Sequence, residues 1–419
     1  MAGMSALVIG GGGREHALCL GLARSESIAE IHCAPGNAGT AEIATNHPFS
    51  EVSDLIHLAF QLDVDFVVVG PEAPLCGGLA DKLANMDIPC FGPVAALARL
   101  EGSKLHAKKM MEANDVPTAA FHALGEGSDI DAALDDFAGS PWVVKRDVLA
   151  GGKGVVVTEN RSEAKQFIEQ SIISDGQVLL EKFLPGDEAS MLVVMDGSGF
   201  VCLPASQDHK REFEGDKGKN TGGMGAYSPS RLESKKLNKK ILEKIIEPTI
   251  KGLQNLNSNF VGFLYAGLMI VNDEPFLIEY NVRMGDPECQ TILPKLKTDF
   301  YRIINACVNK NLDRIDFEWK EEKSICVVLC SKGYPDEYKN NVEIKDLDKV
   351  TLDDNEFIFH AGTKNNGLKI VSNGGRVLNF VILSNEFKKS RDKANNLINQ
   401  INWSNGFFRK DIGFKVINK

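Results

Sequence analysis

Glu279, Asn281 and Arg283 place two oxygen ligands and a cation at alternate positions of an apolar stretch. Because side chains alternate between the faces of an extended strand, this spacing predicts one shared face. Carboxylate and amide oxygens suit Mg²⁺, and a nearby guanidinium would stabilise charge on a transferred phosphoryl group. The pattern favours a metal-binding strand in a nucleotide-dependent enzyme; a half-buried edge strand with solvated polar residues is the alternative. The expected faces are Leu277, Glu279, Asn281 and Arg283 against Phe276, Ile278, Tyr280 and Val282.

A phosphate-binding element is expected between two apolar runs, residues 142–145 and 154–157. The intervening segment contains no GxxxxGK[ST] motif and leads into a strand, so it is not a P-loop. It predicts a flexible β-hairpin that folds over phosphates, with a hairpin that binds nothing as the alternative. Lys145 could reach a phosphate from the sheet. Backbone N–H groups could cover it from Gly151, Gly152, Lys153 and Gly154.

An adenine-binding hinge is expected where a buried strand from residue 177 stops at Pro185 and Gly186, just before two acidic residues. Glu188 could accept the ribose hydroxyls. The main-chain groups that could pair with the base belong to Glu181, Lys182, Phe183 and Leu184. Residues 207–229 then form a long, charged, glycine-rich segment, and loops of that length tend to be functional or disordered. His209 has no second histidine or cysteine at ligand spacing, which disfavours zinc.

The first hundred residues alternate between apolar strands and helices, which predicts a parallel sheet covered on both sides. The expected strands are residues 6–9, 30–33, 66–69 and 90–92, and the expected helices are 14–23, 55–62 and 79–86. Gly10 and Gly12 resemble the start of a dinucleotide fingerprint, but Glu15 replaces the third glycine. The turn therefore suits one phosphate or another anion at a helix N-terminus. A tight turn without a ligand is the alternative.

Composition narrows the function classes. A chain of 419 residues suggests about three domains. The net charge of -10 gives no electrostatic footprint for nucleic acid. Nine scattered cysteines, never in a CxxC pair, are typical of reduced thiols. With no basic N-terminal region and no apolar window long enough to span a membrane, we expect a cytoplasmic protein.

In their order along the chain, the phosphate hairpin, the hinge and the Glu-x-Asn strand resemble the ATP-grasp enzymes. Within that superfamily the chain is similar to the phosphoribosylamine-glycine ligase family along essentially its whole length. The similar blocks are residues 8–17, 34–40, 69–75, 207–210, 220–229, 262–267, 283–288, 360–363 and 409–413. The resemblance implies an α/β and α+β multidomain fold. Its parts would be an N-terminal parallel-sheet (pre-ATP-grasp) domain at 1–102, a two-lobed ATP-grasp domain at 103–323 with a lid at about 118–186, and a small α+β domain at 324–419.

The resemblance also implies an activity: glycine is activated by ATP as glycyl phosphate and joined to 5-phosphoribosylamine, the second step of purine synthesis. Lys104 and Lys145 would contact the ATP phosphates, and Glu279 and Asn281 would hold Mg²⁺ or Mn²⁺. Arg283 would steady glycyl phosphate. Residues that would orient glycine or phosphate are Asp208, Lys210, Gly222, Gly223, Met224 and Gly225. The phosphoribosylamine pocket would comprise Gly12, Gly13, Glu15, Asn37, Gly39, Thr40, Pro71 and Glu72.

The chain departs from the family pattern in two places. Val148 stands near an expected glycine and Gly151 near an expected alanine, which bears on lid flexibility and nucleotide affinity, and residues 211–219 differ from the usual pattern. Two rival functions stay open from the sequence: an ATP-grasp enzyme that carboxylates or formylates a ribonucleotide, and a catalytically silent nucleotide-binding protein. We expect a monomer that acts on small molecules, with no nucleic acid or membrane as a partner.

Overall fold

A five-stranded parallel sheet forms the N-terminal part of the computed structural model, which describes residues 3–149, 154–256 and 258–417. Its strands, in the spatial order β3-β2-β1-β4-β5, pair in parallel throughout, as predicted. The elements are β1 (Met4–Gly10), α1 (Gly13–Ala23), β2 (Ile28–Pro35), β3 (Thr45–Asn46), α2 (Val52–Gln61), β4 (Phe66–Val69), α3 (Glu72–Cys76), α4 (Leu79–Ala84) and β5 (Cys90–Phe91).

Strand β1 is buried on both faces, which explains its unbroken apolar sequence. Ala6 and Val8 belong to a core shared with the C-terminal sheet, whereas Leu7 and Ile9 belong to a core shared with the central sheet. The period of two along one strand therefore divides the apolar interior into two cores. The carboxyl end of this strand lies where the other parts of the chain meet.

The segment expected to form the lid is built on an antiparallel sheet in the order β6-β9-β7-β8. Its elements and the two helices that lead to it are α5 (Ala95–Gly102), α6 (Lys104–Ala113), β6 (Phe121–Gly125), α7 (Ile130–Asp136), β7 (Trp142–Arg146), β8 (Val155–Thr158), α8 (Arg161–Asp175) and β9 (Gln177–Lys182). The predicted hairpin is confirmed, with Lys145 opposite Val155. Gly151, Gly152 and Lys153 lie outside the described residues. The lid has its own core, which includes Val144 and Leu180.

The central sheet has the order β11-β10-β16-β17 and packs against a long helical segment. That segment runs through α9 (Lys235–Ile241), a π-helical stretch (Leu242–Ile246) and α10 (Glu247–Gln254). The remaining elements here are β10 (Asp187–Asp196), β11 (Phe200–Cys202), β12 (Gln207–Asp208), β13 (Arg211–Phe213), β14 (Lys217–Asn220), β15 (Gly225–Ser228), β16 (Val261–Val271) and β17 (Glu274–Asn281).

Strand β17 carries an irregularity that corrects the predicted alternation. Gly267 pairs with Glu279 but Leu268 pairs with Leu277, so Ile278 is the extra residue of a β-bulge. Leu277 is consequently turned into the core with Tyr280 and Val282 and does not share the face of Glu279. The prediction was wrong for Leu277 because strict alternation holds only along an unbroken ladder.

The C-terminal sheet recruits two strands from the middle of the chain. Its order is β12-β15-β18-β22-β19, with β23 also on β18. Residues 207–229 are therefore not a structureless loop: they contain β12 to β15, and β15 pairs directly with β18. The elements after β17 are α11 (Glu288–Ile292), α12 (Phe300–Val308), β18 (Lys323–Ser331), β19 (Glu356–His360), β20 (Thr363–Asn366), β21 (Lys369–Ser372), β22 (Arg376–Ser384), α13 (Phe387–Ile398), β23 (Gly406–Phe407) and α14 (Phe414–Ile417).

All nine cysteines are free thiols, in line with the expectation from their spacing. Of the helices in the part of the chain that the structure describes, none has the length and apolar character required to cross a bilayer.

Candidate active site

Glu279, at the end of β17, lies among four cations. Burial alone would raise the pKa of its carboxyl group, but Lys210, Lys145, Lys104 and Arg283 together hold the pKa below its usual value. A carboxylate kept ionised in this way, two residues from the amide oxygen of Asn281, is a donor set that suits a hard divalent cation. Three of the four cations also pair with other carboxylates: Lys145 with Glu181, Lys210 with Glu188, and Arg283 with Glu72 and Glu101.

Arg283 is held in place by two acidic residues of the preceding segments. Its Nε lies 3.2 Å from Oε2 of Glu72, and its Nη2 lies 2.7 Å from Oε1 of Glu101 and 3.2 Å from Oδ1 of Asn281. The other oxygen of Glu101 accepts the backbone N–H of Val282 at 2.8 Å. The family resemblance assigns Glu72 to the phosphoribosylamine pocket. The guanidinium of Arg283 therefore links that pocket to the candidate metal strand.

Sequence reasoning missed Glu101. Burial raises the pKa of its carboxyl group and Arg283 opposes that rise, which is typical of a carboxylate placed to serve one cation. The residue sits near the end of the amphipathic helix α5, outside every motif that the sequence analysis singled out. Only its contact with a residue 182 positions away reveals its role.

The lysines of the phosphate side converge on Glu181. Nζ of Lys145 lies 3.0 Å and Nζ of Lys108 lies 3.1 Å from the same oxygen, Oε2 of Glu181. Lys108 also donates to Oγ1 of Thr118 at 2.7 Å and is buried. Burial lowers its pKa to about 8, although Glu181 opposes the shift. Lys108, another residue missed from sequence, lies one helical turn beyond Lys104 on α6 and was not distinguishable from a solvated lysine.

Lys104 contacts the phosphate hairpin, and Lys145, which belongs to the hairpin, contacts β17. Nζ of Lys104 donates to the carbonyl oxygen of Val148 at 3.1 Å, and Nζ of Lys145 lies 3.5 Å from the carbonyl oxygen of Ile278, the bulged residue of β17. Both lysines also act on Glu279, because each lowers the pKa of its carboxyl group. The structure therefore brings the two lysines and the candidate metal ligand together.

The hinge residues differ in what their main chains can offer. The N–H of Lys182 already donates to the carbonyl oxygen of Ala120 at 2.9 Å within the lid sheet, so it is unavailable to a base. Phe183 and Leu184 follow the end of β9, outside the ladder. Glu188 is the second residue of β10, and its Oε2 lies 3.2 Å from Nζ of Lys210.

Asp208 and Lys210 carry opposite charges, and Lys210 is one of the cations that lower the pKa of Glu279. Burial raises the pKa of Asp208 to about 7, Lys210 opposes this, and the carboxylates of Glu288 and Glu188 reinforce it. The pKa of the Lys210 ammonium group is also raised, because the negative charges of Glu188 and then Asp208 outweigh the effect of burial, which alone would lower it. The result is a carboxyl group that titrates near neutrality beside a permanent cation.

Two carboxylates accept backbone N–H groups of the glycine turn after β1. Oε2 of Glu15 accepts the N–H of Gly12 at 2.6 Å, and its Oε1 accepts from Nε of Arg14 at 2.6 Å. The carboxylate of Asp286 accepts the backbone N–H of Arg14, in the first turn of α1. These two carboxylates accept backbone N–H groups of the turn, and the expectation that it binds a phosphate or another anion stays a prediction.

Asn37 joins three parts of the pocket predicted for phosphoribosylamine. Its Nδ2 donates to the carbonyl oxygens of Gly11 at 3.0 Å and His360 at 2.8 Å, and its Oδ1 accepts the N–H groups of Gly39 and Thr40 at 2.9 and 3.0 Å. Gly12 and Gly13 follow in the same turn, and Pro71 precedes α3 with Glu72. Asn37 thus uses its hydrogen-bonding capacity to hold the loops together.

Comparison with known proteins identifies this arrangement. Three family profiles match in succession: the N domain of phosphoribosylglycinamide synthetase over residues 4–101, its ATP-grasp (A) domain over 102–289 and its C domain over 324–415. A protein of Agrobacterium fabrum named phosphoribosylamine-glycine ligase is 42% identical over 426 residues, which is 99% of each chain. The chain belongs to the phosphoribosylamine-glycine ligase family.

Solved structures agree with that family. The crystal structure of phosphoribosylamine-glycine ligase from Thermotoga maritima is 33% identical, with a TM-score of 0.85 over 98% of this chain and 100% of that one. N5-carboxyaminoimidazole ribonucleotide synthetase from the same organism is 15% identical, with a TM-score of 0.66 over 95% of this chain and 98% of that one, and shows a shared fold alone.

Membership of the phosphoribosylamine-glycine ligase family confirms the fold class and the enzyme class predicted from sequence. The chain is an ATP-grasp carbon–nitrogen ligase of purine biosynthesis, at the step that the family name describes. The first rival was an enzyme that carboxylates a ribonucleotide. N5-carboxyaminoimidazole ribonucleotide synthetase shares the fold of this chain but is only 15% identical to it in sequence, which counts against that rival.

Proposed function

We propose that this chain joins glycine to 5-phosphoribosylamine through glycyl phosphate, with ADP, phosphate and glycinamide ribonucleotide as products. The observation that carries the proposal is that four cations act on Glu279: Lys104, Lys145, Arg283 and Lys210. Lys104 and Lys145 suit a polyphosphate, and Lys210 together with Asp208 suits a small zwitterion. A carboxylate and a nucleotide would therefore meet above Glu279.

The chemistry follows from the poor electrophilicity of a carboxylate. An oxygen of the glycine carboxylate attacks the γ-phosphorus of ATP and ADP leaves, which converts that oxygen into part of a phosphate leaving group. The phosphoribosylamine nitrogen then attacks the acyl carbon, phosphate departs and the nitrogen loses a proton. Fixed cations that face the transferred group lower the barrier because negative charge spreads over its oxygens in the transition state.

On the nucleotide side, Lys104 and Lys145 bind the phosphates, and Lys108 and Glu181 set the position of Lys145. The adenine base pairs with the carbonyl of Lys182 and the main chain of Phe183 and Leu184, and Glu188 binds the ribose. The assignment of Gly151, Gly152, Lys153 and Gly154 as the backbone cover of the phosphates stays a prediction, since the first three lie outside the described residues. The free main-chain positions after β9 support this arrangement.

Glu279 and Asn281 would hold Mg²⁺ or Mn²⁺. Such an ion, when bound to ATP, supplies charge neutralisation at the β- and γ-phosphate oxygens. Arg283 steadies the phosphate of the acyl intermediate from the end of β17, where Glu72 and Glu101 fix its guanidinium plane.

On the amine side, Asp208 and Lys210 bind the two ends of glycine: the carboxylate of Asp208 faces its ammonium group and Lys210 its carboxylate. The loop of Gly222, Gly223, Met224 and Gly225 closes that side. Phosphoribosylamine enters from Gly12, Gly13, Asn37, Gly39, Thr40 and Pro71. Because carboxylates line the glycine turn, it receives hydroxyl and amine donors of the sugar and not its phosphate.

We further propose a division into residues 1–102, 103–323 with the lid at 118–186, and 324–419. A monomer in the cytoplasm fits the single-chain site and the free thiols. Gel filtration with light scattering tests the monomer, since a mass near twice 45.7 kDa would contradict it.

The reaction is tested by ADP release in the presence of ATP, Mg²⁺, glycine and phosphoribosylamine formed in situ. The proposal expects ADP release that requires both substrates, and glycine hydroxamate when hydroxylamine replaces phosphoribosylamine. Glu279→Gln is expected to abolish both signals, whereas Glu274→Gln, on the same strand but paired with Lys240 and Lys244 at the surface, is expected to retain them. ADP release driven by bicarbonate or formate with a ribonucleotide, but not by glycine, would contradict the proposal.

A further inference from the structure

The segment between β12 and β15, here named the 209–224 loop, carries Lys210 at one end and Gly222 and Gly223 at the other. Its two arms are joined at the base. The carbonyl oxygen of Lys210 accepts both the N–H and the Oγ1 hydroxyl of Thr221 at 2.8 Å, and the carbonyl oxygen of His209 accepts the N–H of Met224 at 2.8 Å. A displacement of one arm therefore moves the other.

Between these arms, β13 and β14 form a two-stranded hairpin that belongs to no larger sheet. Its outer surface is exposed, as the half-exposed ring of Phe213 shows. A two-stranded hairpin is marginally stable by itself in water. Something else must fix its position relative to Glu279.

Arg409 supplies one fixation. Its guanidinium is 1% exposed, and its Nη1 donates to the carbonyl oxygen of Arg211 at 3.0 Å and to Oδ1 of Asp216 at 2.9 Å. Its Nε and Nη2 form a fork to the two oxygens of Asp411, both at 2.8 Å. One side chain of the C-terminal segment thus grips a strand and the turn of the hairpin, with the directional geometry that a guanidinium provides.

Asp411 and Lys415, close to Arg409 in sequence, make further contacts with the same hairpin. Oδ2 of Asp411 accepts the N–H of Gly215 at 2.8 Å, and Nζ of Lys415 lies 2.7 Å from Oδ2 of Asp216. At the base of the loop, the N–H of Gly413 donates to Nε2 of His209 at 3.2 Å. The 409–413 block, which the proposed chemistry does not use, is therefore a clamp on the loop that carries Lys210.

Tyr334 and Arg376 hold the other end of the same loop. The hydroxyl of Tyr334 accepts the N–H of Gly222 at 2.8 Å, and Nη1 of Arg376 donates to the carbonyl oxygen of Gly222 at 2.7 Å. The same Nη1 reaches the carbonyl oxygen of Asp286 at 2.6 Å, in the turn that follows Arg283. The C-terminal domain therefore fixes both ends of the loop relative to the candidate metal strand.

We propose that Arg409 and Tyr334 are positioning residues for the reaction, which act through the 209–224 loop on Lys210, Gly222 and Gly223. The inference rests on the proposed function, because it assigns these loop residues to the glycine side of the site. It predicts that loss of either contact impairs the use of glycine and spares the binding of ATP. A displacement of about 1 Å in a substrate-orienting group can cost a hundredfold in rate.

Tyr334→Phe is the most informative variant, because it removes one hydroxyl and leaves the ring in place. One hydrogen bond corresponds to about a fivefold change in kcat/KM for glycine, and we expect KM for ATP to stay within about twofold. Arg409→Met, which removes the guanidinium from Asp411 and one of the two cations from Asp216, is expected to have a larger effect in the same direction. Arg409→Lys should restore little, because an ammonium group cannot form the fork to Asp411.

Arg391→Met is the matched control, since Arg391 belongs to the same domain but pairs with Asp392 on α13. Each variant is compared with wild type by thermal unfolding and by amide hydrogen exchange of residues 210–224. Selective loss of glycine kcat/KM with faster exchange in the loop supports the proposal. Equal changes in the ATP and glycine constants, or unchanged glycine kinetics despite faster loop exchange, would overturn it. A wild-type enzyme that releases no ADP in response to glycine would instead contradict the proposed function, a result that is visible before any variant is compared.

Discussion

Replacing Arg283 with methionine removes the cation that Glu72 and Glu101 share. Glu101 is 7% exposed and would be left buried and unpaired, whereas Glu72, at 24%, can regain water. Breaking a buried ion pair from one side costs about 3 to 5 kcal/mol, and the partial exposure of Glu72 favours the lower value. At about 2 °C per kcal/mol for a large chain, the melting temperature should fall by about 6 °C.

The same substitution should lower activity by more than its effect on stability explains. A preorganised cation that faces developing charge contributes about 10²- to 10³-fold in kcat. The assay is ADP release with saturating ATP, glycine and phosphoribosylamine, at a temperature well below the melting transition of each variant. Folded Arg283→Met enzyme should then retain about 1% of the wild-type rate or less.

A double variant separates structure from chemistry. Adding Glu101→Gln to Arg283→Met removes the uncompensated charge, and the new amide oxygen can still accept the N–H of Val282. We expect the double variant to recover most of the lost thermal stability and none of the lost rate. Recovery of the rate together with stability would refute the reasoning, because Arg283 would then serve the fold alone.

Three further outcomes are expected. Burial, opposed by Lys210, raises the pKa of Asp208 to about 7, so wild-type kcat/KM for glycine should rise between about pH 6 and 8, and Asp208→Asn should lose that pH dependence. Lys108→Met should raise KM for ATP and lower the melting temperature in calorimetry, because it removes one of two cations from Glu181. Both Gly223 and Gly127 have positive φ, but only at Gly223 would a Cβ collide, 2.7 Å from Cδ of Pro287. Gly223→Ala should therefore lower the melting temperature more than Gly127→Ala.

Periodicity predicted the strands and helices around the site well, and it failed where a ladder is irregular. The alternating run before Arg283 gave the correct face for Glu279 and Asn281 but the wrong one for Leu277, because the bulge at Ile278 shifts the register by one residue. A bulge depends on the partner strand, so a single strand's pattern cannot reveal it. The hairpin at 211–220 was missed for a related reason: its polar sequence has no buried face, and contacts with the C-terminal segment stabilise it.

Long-range ion pairs also escaped prediction. Glu101 and Lys108 are ordinary residues of amphipathic helices until the fold brings them to Arg283 and Glu181. The glycine turn also receives a group that local sequence does not announce. Its backbone pattern predicts an anion site, but Asp286, from a segment more than 250 residues away, contributes a carboxylate to it. A local stretch of sequence shows which groups it contains, but it does not show which charged residues from distant parts of the chain will lie beside them in the fold.

The central claim is that Glu279 and Asn281 bring a divalent cation, ATP and glycine together. Titration of Mn²⁺ into enzyme with a non-hydrolysable ATP analogue, followed by electron paramagnetic resonance, tests it most directly, with Glu274→Gln as the control beside Glu279→Gln. The account predicts that wild type and the control bind Mn²⁺ tightly in the presence of the nucleotide, and that Glu279→Gln loses at least tenfold in affinity, as expected for removal of a charged ligand. Equal Mn²⁺ affinity in all three proteins would contradict the account.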